Sequence, residues 1–258
     1  MTPPQAFDLS GRTVLVTGAS SGLGAEFVRA LAASGAAVVA AARRKDRLDA
    51  LVAEIAARGG RAVAVEMDAT SEASTIAAFD TAEAPFGPVD SVVANAGASG
   101  EGSALDMSVE AFDAHLALNV RGVFLTAREG ARRMRAAGSA ERRHGRVVII
   151  SSVTASGSAR APFAYCTSKA AVSRMGEVLA REWVRVGINV NVLLPGYILT
   201  EMNAPGFATD AGKRLIETFP RRRLMEAKDL LPLLLFLCSD ASEAVTGSSF
   251  KIDDGQTG

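Results

Sequence analysis

The chain has 258 residues, 28 basic and 28 acidic side chains, and an apolar fraction of 48%, which suits one α/β domain with a single large sheet. Zero formal charge leaves no basic footprint for nucleic acid, and the longest apolar run, around Leu230 to Cys238, is too short to cross a bilayer. No charged segment followed by an apolar run opens the amino terminus, so the chain reads as cytoplasmic, and two separated cysteines (Cys166, Cys238) and two separated histidines (His115, His144) argue against a disulfide framework or a metal site.

Thr13 to Thr17 reads as a short buried strand, and Ala25 to Ala33 as an alanine-rich helix with Phe27, Val28 and Leu31 on its apolar face. Between them lies Thr17-Gly18-Ala19-Ser20-Ser21-Gly22-Leu23-Gly24. Glycines allow a tight turn and close backbone approach, and the amides of the following helix terminus then favour a phosphate. The spacing G-x-x-x-G-x-G is longer than the usual dinucleotide fingerprint, and no Gly-Lys-Ser/Thr follows to make a Walker loop. A second strand at residues 37–41 makes dinucleotide binding the better reading. That strand ends in Ala41-Ala42-Arg43-Arg44. Eighteen residues after Gly24, where an NAD site wants a carboxylate for the ribose hydroxyls, stands Ala42. Arg43 follows, able to grip a 2′-phosphate bidentately with Arg44 assisting, so NADP(H) is expected over NAD(H), with NAD(H) possible. The alternative is that both arginines are the solvated start of the next helix, paired with Asp46 and Asp49.

Further strands are expected at residues 62–66, 90–94, 146–151, 188–193 and 249–252, with helices between them. This alternation demands right-handed crossovers and a parallel sheet covered on both faces, a single doubly wound Rossmann domain over residues 1–258. Two segments read as irregular: Ala136 to Arg146, an exposed turn with a solvated charge run, and Gly196 to Pro220, a loop placed to cover a site beyond the carboxyl ends of the strands. Tyr165 and Lys169 lie four apart on one helical face, where an ammonium would lower the phenol pKa and make proton transfer accessible. Ser151 and Ser152 precede them; in a strand their side chains point to opposite faces, so only one can meet the phenol. The helix running on through Ala170, Ala171, Val172, Met175, Val178, Leu179 and Trp183 has more apolar positions than one face against the sheet requires, which predicts a partner subunit.

Taken together, Thr17-Gly18-x-x-x-Gly22-x-Gly24, Asp68, Ala94-Asn95-Ala96-Gly97, Asn119, Ser152 thirteen residues before Tyr165, Lys169, Pro195-Gly196 and Val245-Thr246-Gly247 closely resemble the short-chain dehydrogenase/reductases over Leu9 to Gly255. The resemblance implies an oxidoreductase interconverting a secondary alcohol and a ketone, with Asn119, Ser152, Tyr165 and Lys169 as catalytic tetrad. It implies a nicotinamide dinucleotide lined by Gly18, Ser20, Ser21, Leu23, Gly24, Asp68, Asn95, Gly97, Pro195, Ile198 and Thr200 together with Tyr165 and Lys169, to which the reading of the second strand adds Arg43. Ser21 stands where many NADP-preferring members carry a second basic residue. The family spacing selects Ser152 over Ser151, and the family's packing implies a homo-oligomer, a tetramer. The sequence departs from the family pattern at Ala94, often asparagine, at Asp254, usually glycine, and in a longer stretch around Ser139. Residues Pro195 to Asn203 are similar to sugar-acid dehydrogenases, while the general pattern is also similar to 3-oxoacyl-carrier-protein reductases. A catalytically inactive nucleotide-binding regulator and a methyltransferase are the alternatives; the first has no physical use for the tetrad, and the second does not explain it.

Overall fold

Seven strands, all parallel, form one sheet in the order β3-β2-β1-β4-β5-β6-β7 in the computed structural model, which describes residues 7–100, 102–156, 161–201 and 203–257. The strands are β1 (Thr13–Thr17), β2 (Ala37–Ala42), β3 (Arg61–Glu66), β4 (Ser91–Ala94), β5 (Gly145–Ile150), β6 (Ile188–Pro195) and β7 (Ser249–Ile252). Each sits within two residues of its sequence-based expectation. The chain builds outward from β1 to β3, then crosses back to place β4 on the other side of β1. That reversal opens a crevice beyond the carboxyl ends of β1 and β4, where doubly wound sheets bind ligands.

Side-chain alternation in the strands feeds two cores. Val14 and Val16 of β1 face Phe27, Val28 and Leu31 of α1 (Gly22–Ala33), Leu48 and Leu51 of α2 (Lys45–Ala57) and Leu234 and Leu237, which lie further along the chain. Leu15, one residue away, faces Phe79 of α3 (Glu72–Phe86), with Val123 and Val172 from later helices. Caps set the helix starts: the Ser71 side chain accepts the Ser74 N–H, and α3 ends at Gly87, whose φ of 77° suits glycine alone.

The remaining helices are α4 (Val109–Leu116), which runs through a π turn (Ala117–Arg121) into α5 (Gly122–Ala136), then α6 (Ser139–Arg142), α7 (Phe163–Trp183), α8 (Ala204–Ala208), α9 (Asp210–Thr218) and α10 (Leu231–Cys238). Among the described residues no helix is long and apolar enough to cross a membrane.

Two expectations are corrected. Ala136 to Arg146 is not simply an exposed turn: Glu141, Arg142 and Arg143 do lie at the surface, but the segment contains α6, Ser139 is buried with its hydroxyl donating to the Val186 carbonyl at 2.6 Å, and Arg146 is 1% exposed at the start of β5. Only the last arginine of the run is drawn inward, by partners distant in sequence. Arg146 Nε donates to the Ser239 carbonyl and to Ser242 Oγ, both at 3.2 Å, and Arg12 beside it reaches Asp90 and Asp240. Gly196 to Pro220 is not irregular either, since α8 and α9 occupy much of it and the Thr209 side chain caps α9 by accepting from Gly212 N–H. Asp254, the residue departing from the family glycine, takes the left-handed conformation that position needs (φ 53°) and pairs with Arg221 and Arg223.

Candidate active site

A cleft of about 1220 Å³ opens at the carboxyl edge of the sheet and contains every residue of the sequence-derived site except Asn119, which stands immediately behind it. Its cofactor-sized end is built on the glycine turn. Gly18 has φ 69°, and a side chain there would lie 2.9 Å from Ala96 Cα; at Gly24 a Cβ would lie 2.3 Å from the Gly18 carbonyl oxygen. The turn therefore closes only on glycine. Ser21 occupies the N-cap of α1 yet makes no cap hydrogen bond, so the amides of that twelve-residue helix are left for an anion. Thr17 and Asn95 join β1 to β4 beneath the turn: Asn95 Nδ2 donates to the Thr17 carbonyl at 2.9 Å, and Thr17 Oγ1 accepts from the Asn95 and Ala96 amides. Thr200 lies across from Gly22, and Asn203 clamps it there by accepting the Thr200 N–H and donating to the Ile198 carbonyl.

At the end of β2 the buried Ala42 is followed by two exposed arginines. Arg43 lines the cleft without a side-chain hydrogen bond to any described residue, near enough to Asp68 to help hold that carboxyl below its ordinary range, although the larger cause is hydrogen bonding from the Thr70 amide and hydroxyl. Arg44 is drawn instead onto the glycine turn, donating to Ser20 Oγ at 2.9 Å and to Ser21 Oγ at 2.6 Å. Neither arginine pairs with Asp46 or Asp49; Asp49 is held by Lys45. The glycine cradle and the uncapped helix terminus fit the phosphates of a nicotinamide dinucleotide.

The reactive end lies between β5 and α7. Ser152 lies near enough to the Tyr165 phenol to act on its ionisation, and its Oγ accepts the Thr154 N–H at 3.2 Å, whereas Ser151 points away to the Lys169 carbonyl and Ser173 Oγ, at 2.9 and 2.8 Å. Lys169 Nζ stands 5.6 Å from the centre of the Tyr165 ring and donates to the Ile150 carbonyl at 2.9 Å. Tyr165 corrects the electrostatic expectation. Burial raises its pKa above the usual phenol value, and the nearby Ser152 hydroxyl opposes that only in part. Lys169 is itself pulled down to about 8 by burial.

Asn119 sits in the π turn, a rare helical irregularity that occurs mostly at functional sites. Its Oδ1 accepts the Ala98 N–H and its Nδ2 donates to the Ala98 carbonyl, both at 2.9 Å. A Cβ at Gly97 would fall 3.3 Å from Asn119 Oδ1 and 3.6 Å from Lys169 Nζ, so glycine keeps the space between them open. His115 and Ser168 complete this cluster and were missed in the sequence. The available signal was the four-residue spacing of His115 and Asn119, which puts them on one helical face. Pro195, Gly196 and Ile198 carry the chain from β6 past the cleft, and Tyr197, Phe207 and Leu215 from the segment beyond form its outer wall. The two cysteines stay apart: Cys238 is buried, its thiol pushed up to about 12, and Cys166 Sγ approaches the Ala161 carbonyl. Among the described residues no three His, Cys, Asp or Glu side chains are grouped to hold a metal.

Residues 12–211 match the short chain dehydrogenase family. The D-threitol dehydrogenase of Mycolicibacterium smegmatis is 33% identical over 97% of this chain and 95% of its own. A short-chain type dehydrogenase/reductase from Mycobacterium marinum superposes with a TM-score of 0.91 at 37% identity, covering 98% of both chains. A gluconate 5-dehydrogenase from Burkholderia cenocepacia, solved with NADP and tartrate, gives a TM-score of 0.90 at 32% identity over 98% of this chain and 97% of that one.

Proposed function

The chain belongs to the short-chain dehydrogenase family, whose members similar to it are oxidoreductases of CH–OH groups, and from that premise we propose that it interconverts a secondary alcohol and a ketone with Tyr165 as general acid/base. The observation that carries the reading is the Tyr165 phenol, close to Ser152 and beside a buried Lys169, on the wall of a cleft that continues to an anion-ready helix terminus. A nicotinamide dinucleotide, when bound, supplies or accepts the hydride. Gly18, Ser20, Ser21, Leu23 and Gly24 would hold its phosphates, and Asp68, Asn95, Gly97, Pro195, Ile198 and Thr200 the rest.

In reduction, the Ser152 hydroxyl donates to the carbonyl oxygen and polarises it, and Tyr165 Oη delivers its proton to the developing alkoxide. Burial keeps the Tyr165 phenol in the neutral form that donates. In oxidation Tyr165 takes the proton back. Lys169, an ammonium below about pH 8, would hold the ribose and supplies positive charge, and Asn119 borders the space beside it. NADP(H) is the preferred cofactor in this reading and NAD(H) the weaker one, supported by Ala42 where a carboxylate would repel a 2′-phosphate, and by Arg43 and Arg44 beside it.

For the substrate we take a small polyhydroxylated compound, a polyol or sugar acid, rather than an acyl thioester. Two of the similar proteins are a threitol and a gluconate dehydrogenase, and Ser99, Thr154 and Asn203 line the cleft with hydrogen-bonding groups. The assembly is a homotetramer in this reading, supported by Ala170, Ala171 and Val178, exposed on α7 although its opposite face packs on the sheet. Nicotinamide absorbance with both cofactors against polyols, sugar acids, cyclic ketones, steroids and acyl thioesters tests the function. Faster turnover of an acyl thioester than of any polyhydroxylated compound would overturn the substrate class. Light scattering tests the assembly, and a monomer at micromolar concentration would overturn it.

A further inference from the structure

His115 stands on α4 one helical turn before Asn119, 9% exposed, with its ring edge-on to Tyr165 at 6.5 Å between centroids. Its Nε2 lies 3.0 Å from Asn119 Nδ2 and 3.4 Å from Ser168 Oγ. The orientation of the Asn119 carboxamide is not free: the Ala98 amide must face Oδ1 and the Ala98 carbonyl must face Nδ2. One Nδ2 hydrogen is thereby used on Ala98, and the other points at His115 and at Ser168 Oγ, 3.1 Å away. Ser168 spends its own proton on the Tyr165 carbonyl. A nitrogen that meets an N–H must be an acceptor, so His115 has to be neutral with its proton on Nδ1. On that Nδ1 side the wall is Gly100, where a Cβ would lie 3.0 Å from the ring.

We propose that His115 is a positioning residue for this site: as the Nδ1–H tautomer it accepts the Asn119 Nδ2–H and so locks the carboxamide whose oxygen borders the space beside Lys169. This rests on the alcohol–ketone reading above. Protonation of His115 would set N–H against N–H and release Asn119, so the lock holds only while the imidazole is neutral. The groups facing it favour that state. Burial lowers its pKa from the ordinary 6.5, and the Lys169 ammonium on α7 lowers it further. Tyr165 is the other ionisable group that α7 turns toward it, the described loop at residues 98–100 brings none, and Asp113 and Arg121 line a surface hollow on a different side of its own helix.

The experiment follows ketone reduction, in which Tyr165 works protonated and contributes no acid limb of its own. The wild type should lose kcat on the acid side with a midpoint below 6.5, the ordinary histidine value. His115→Gln offers an amide oxygen that accepts but does not titrate, and should keep near-normal kcat at neutral pH with the acid limb gone. His115→Leu removes the acceptor and should lower kcat about tenfold, as for one lost hydrogen bond, while cofactor Kd stays within about twofold. A wild type without the acid limb, a Gln variant that keeps it, or a folded Leu variant of normal kcat would overturn the proposal; should the Leu variant fail to fold, the Gln variant decides. Nitrogen-15 NMR of the imidazoles, with His144→Gln leaving a single histidine, should show the Nδ1–H form titrating below 6.5. An Nε2–H form overturns the proposal without recourse to turnover. The expected tautomer in a chain that reduces no ketone would instead sink the functional reading beneath it.

Discussion

At the amino edge of the sheet Arg12 and Arg146 lie almost wholly buried among Asp90, Asp240 and His144, whereas at the carboxyl edge Lys169 is as deeply buried with the Ile150 carbonyl as its hydrogen-bond partner. Both edges take charge out of water, and the cost of doing so is high in either place. The amino edge offsets it with carboxylates and with carbonyls of Ser239, Gly145 and His144. At the carboxyl edge no carboxylate among the described residues pairs with Lys169, and its pKa falls to about 8. A charge buried with partners tends to structure, and one buried without them tends to function. The contrast can be broken or sharpened by substitution at each end.

Tyr165→Phe carries the largest expected effect. It removes the proton donor and little volume, so turnover should fall at least about 10²-fold while the melting temperature and cofactor affinity hold. Near-normal steady-state turnover would remove Tyr165 from the chemistry and with it the functional half of the comparison.

Arg12→Ala and Lys169→Met should move stability in opposite directions. Removing Arg12 strands Asp90 and the inward part of the cluster, and urea unfolding should show a loss of about 3–5 kcal/mol with turnover per folded molecule preserved. Lys169→Met takes away an ammonium that the folded state holds at a cost, so the fold should gain about 1–3 kcal/mol at pH 7 while cofactor binding and turnover collapse. Two losses of similar size would mean that Lys169 is as structural as Arg12.

Cofactor choice is expected to respond by about tenfold. Arg43→Ala should lower the kcat/KM ratio of NADPH to NADH by that factor, the loss of a charged hydrogen bond to phosphate. Arg44→Ala should act on both cofactors, because its guanidinium organises Ser20 and Ser21 in the turn that serves either. An unchanged ratio in the Arg43 variant would move the phosphate contact elsewhere.

The smallest effect is the pH dependence at the amino edge. His144 is held below the ordinary 6.5 by burial first and by Arg12 next, against the pull of Asp90 and Asp240. A depressed folded pKa means that the unfolded chain takes the proton first, so stability is full above about 6.5 and declines as pH falls below it. Asp240 is depressed as well, but its contribution is lost only below the ordinary carboxylate value of 3.8, outside that window. Unfolding at pH 7.5 and 5.5 should therefore give a shallower decline in His144→Gln than in the wild type. An identical slope would assign the dependence to His115.

Much of this was open to inspection in the chain itself, for a common reason. The strand and helix alternation, the glycine turn, Ala42 before Arg43, and Tyr165 four residues before Lys169 are local patterns, written in residues that lie next to one another or one helical turn apart. Local geometry constrains them whatever the rest of the molecule does. What only the tertiary structure decided depends on residues distant in the chain. Arg12 meets Asp240 across 228 positions, and Arg146, at the end of a charge run that reads as solvated, is buried with partners of which the local sequence gives no sign. The helices within residues 196–220 form against a cleft whose other wall is the glycine turn. The raised pKa of Tyr165 and the meeting of His115 with Asn119 came last, because both follow from burial and from which atom faces which, quantities that exist only once β5, α4 and α7 have packed.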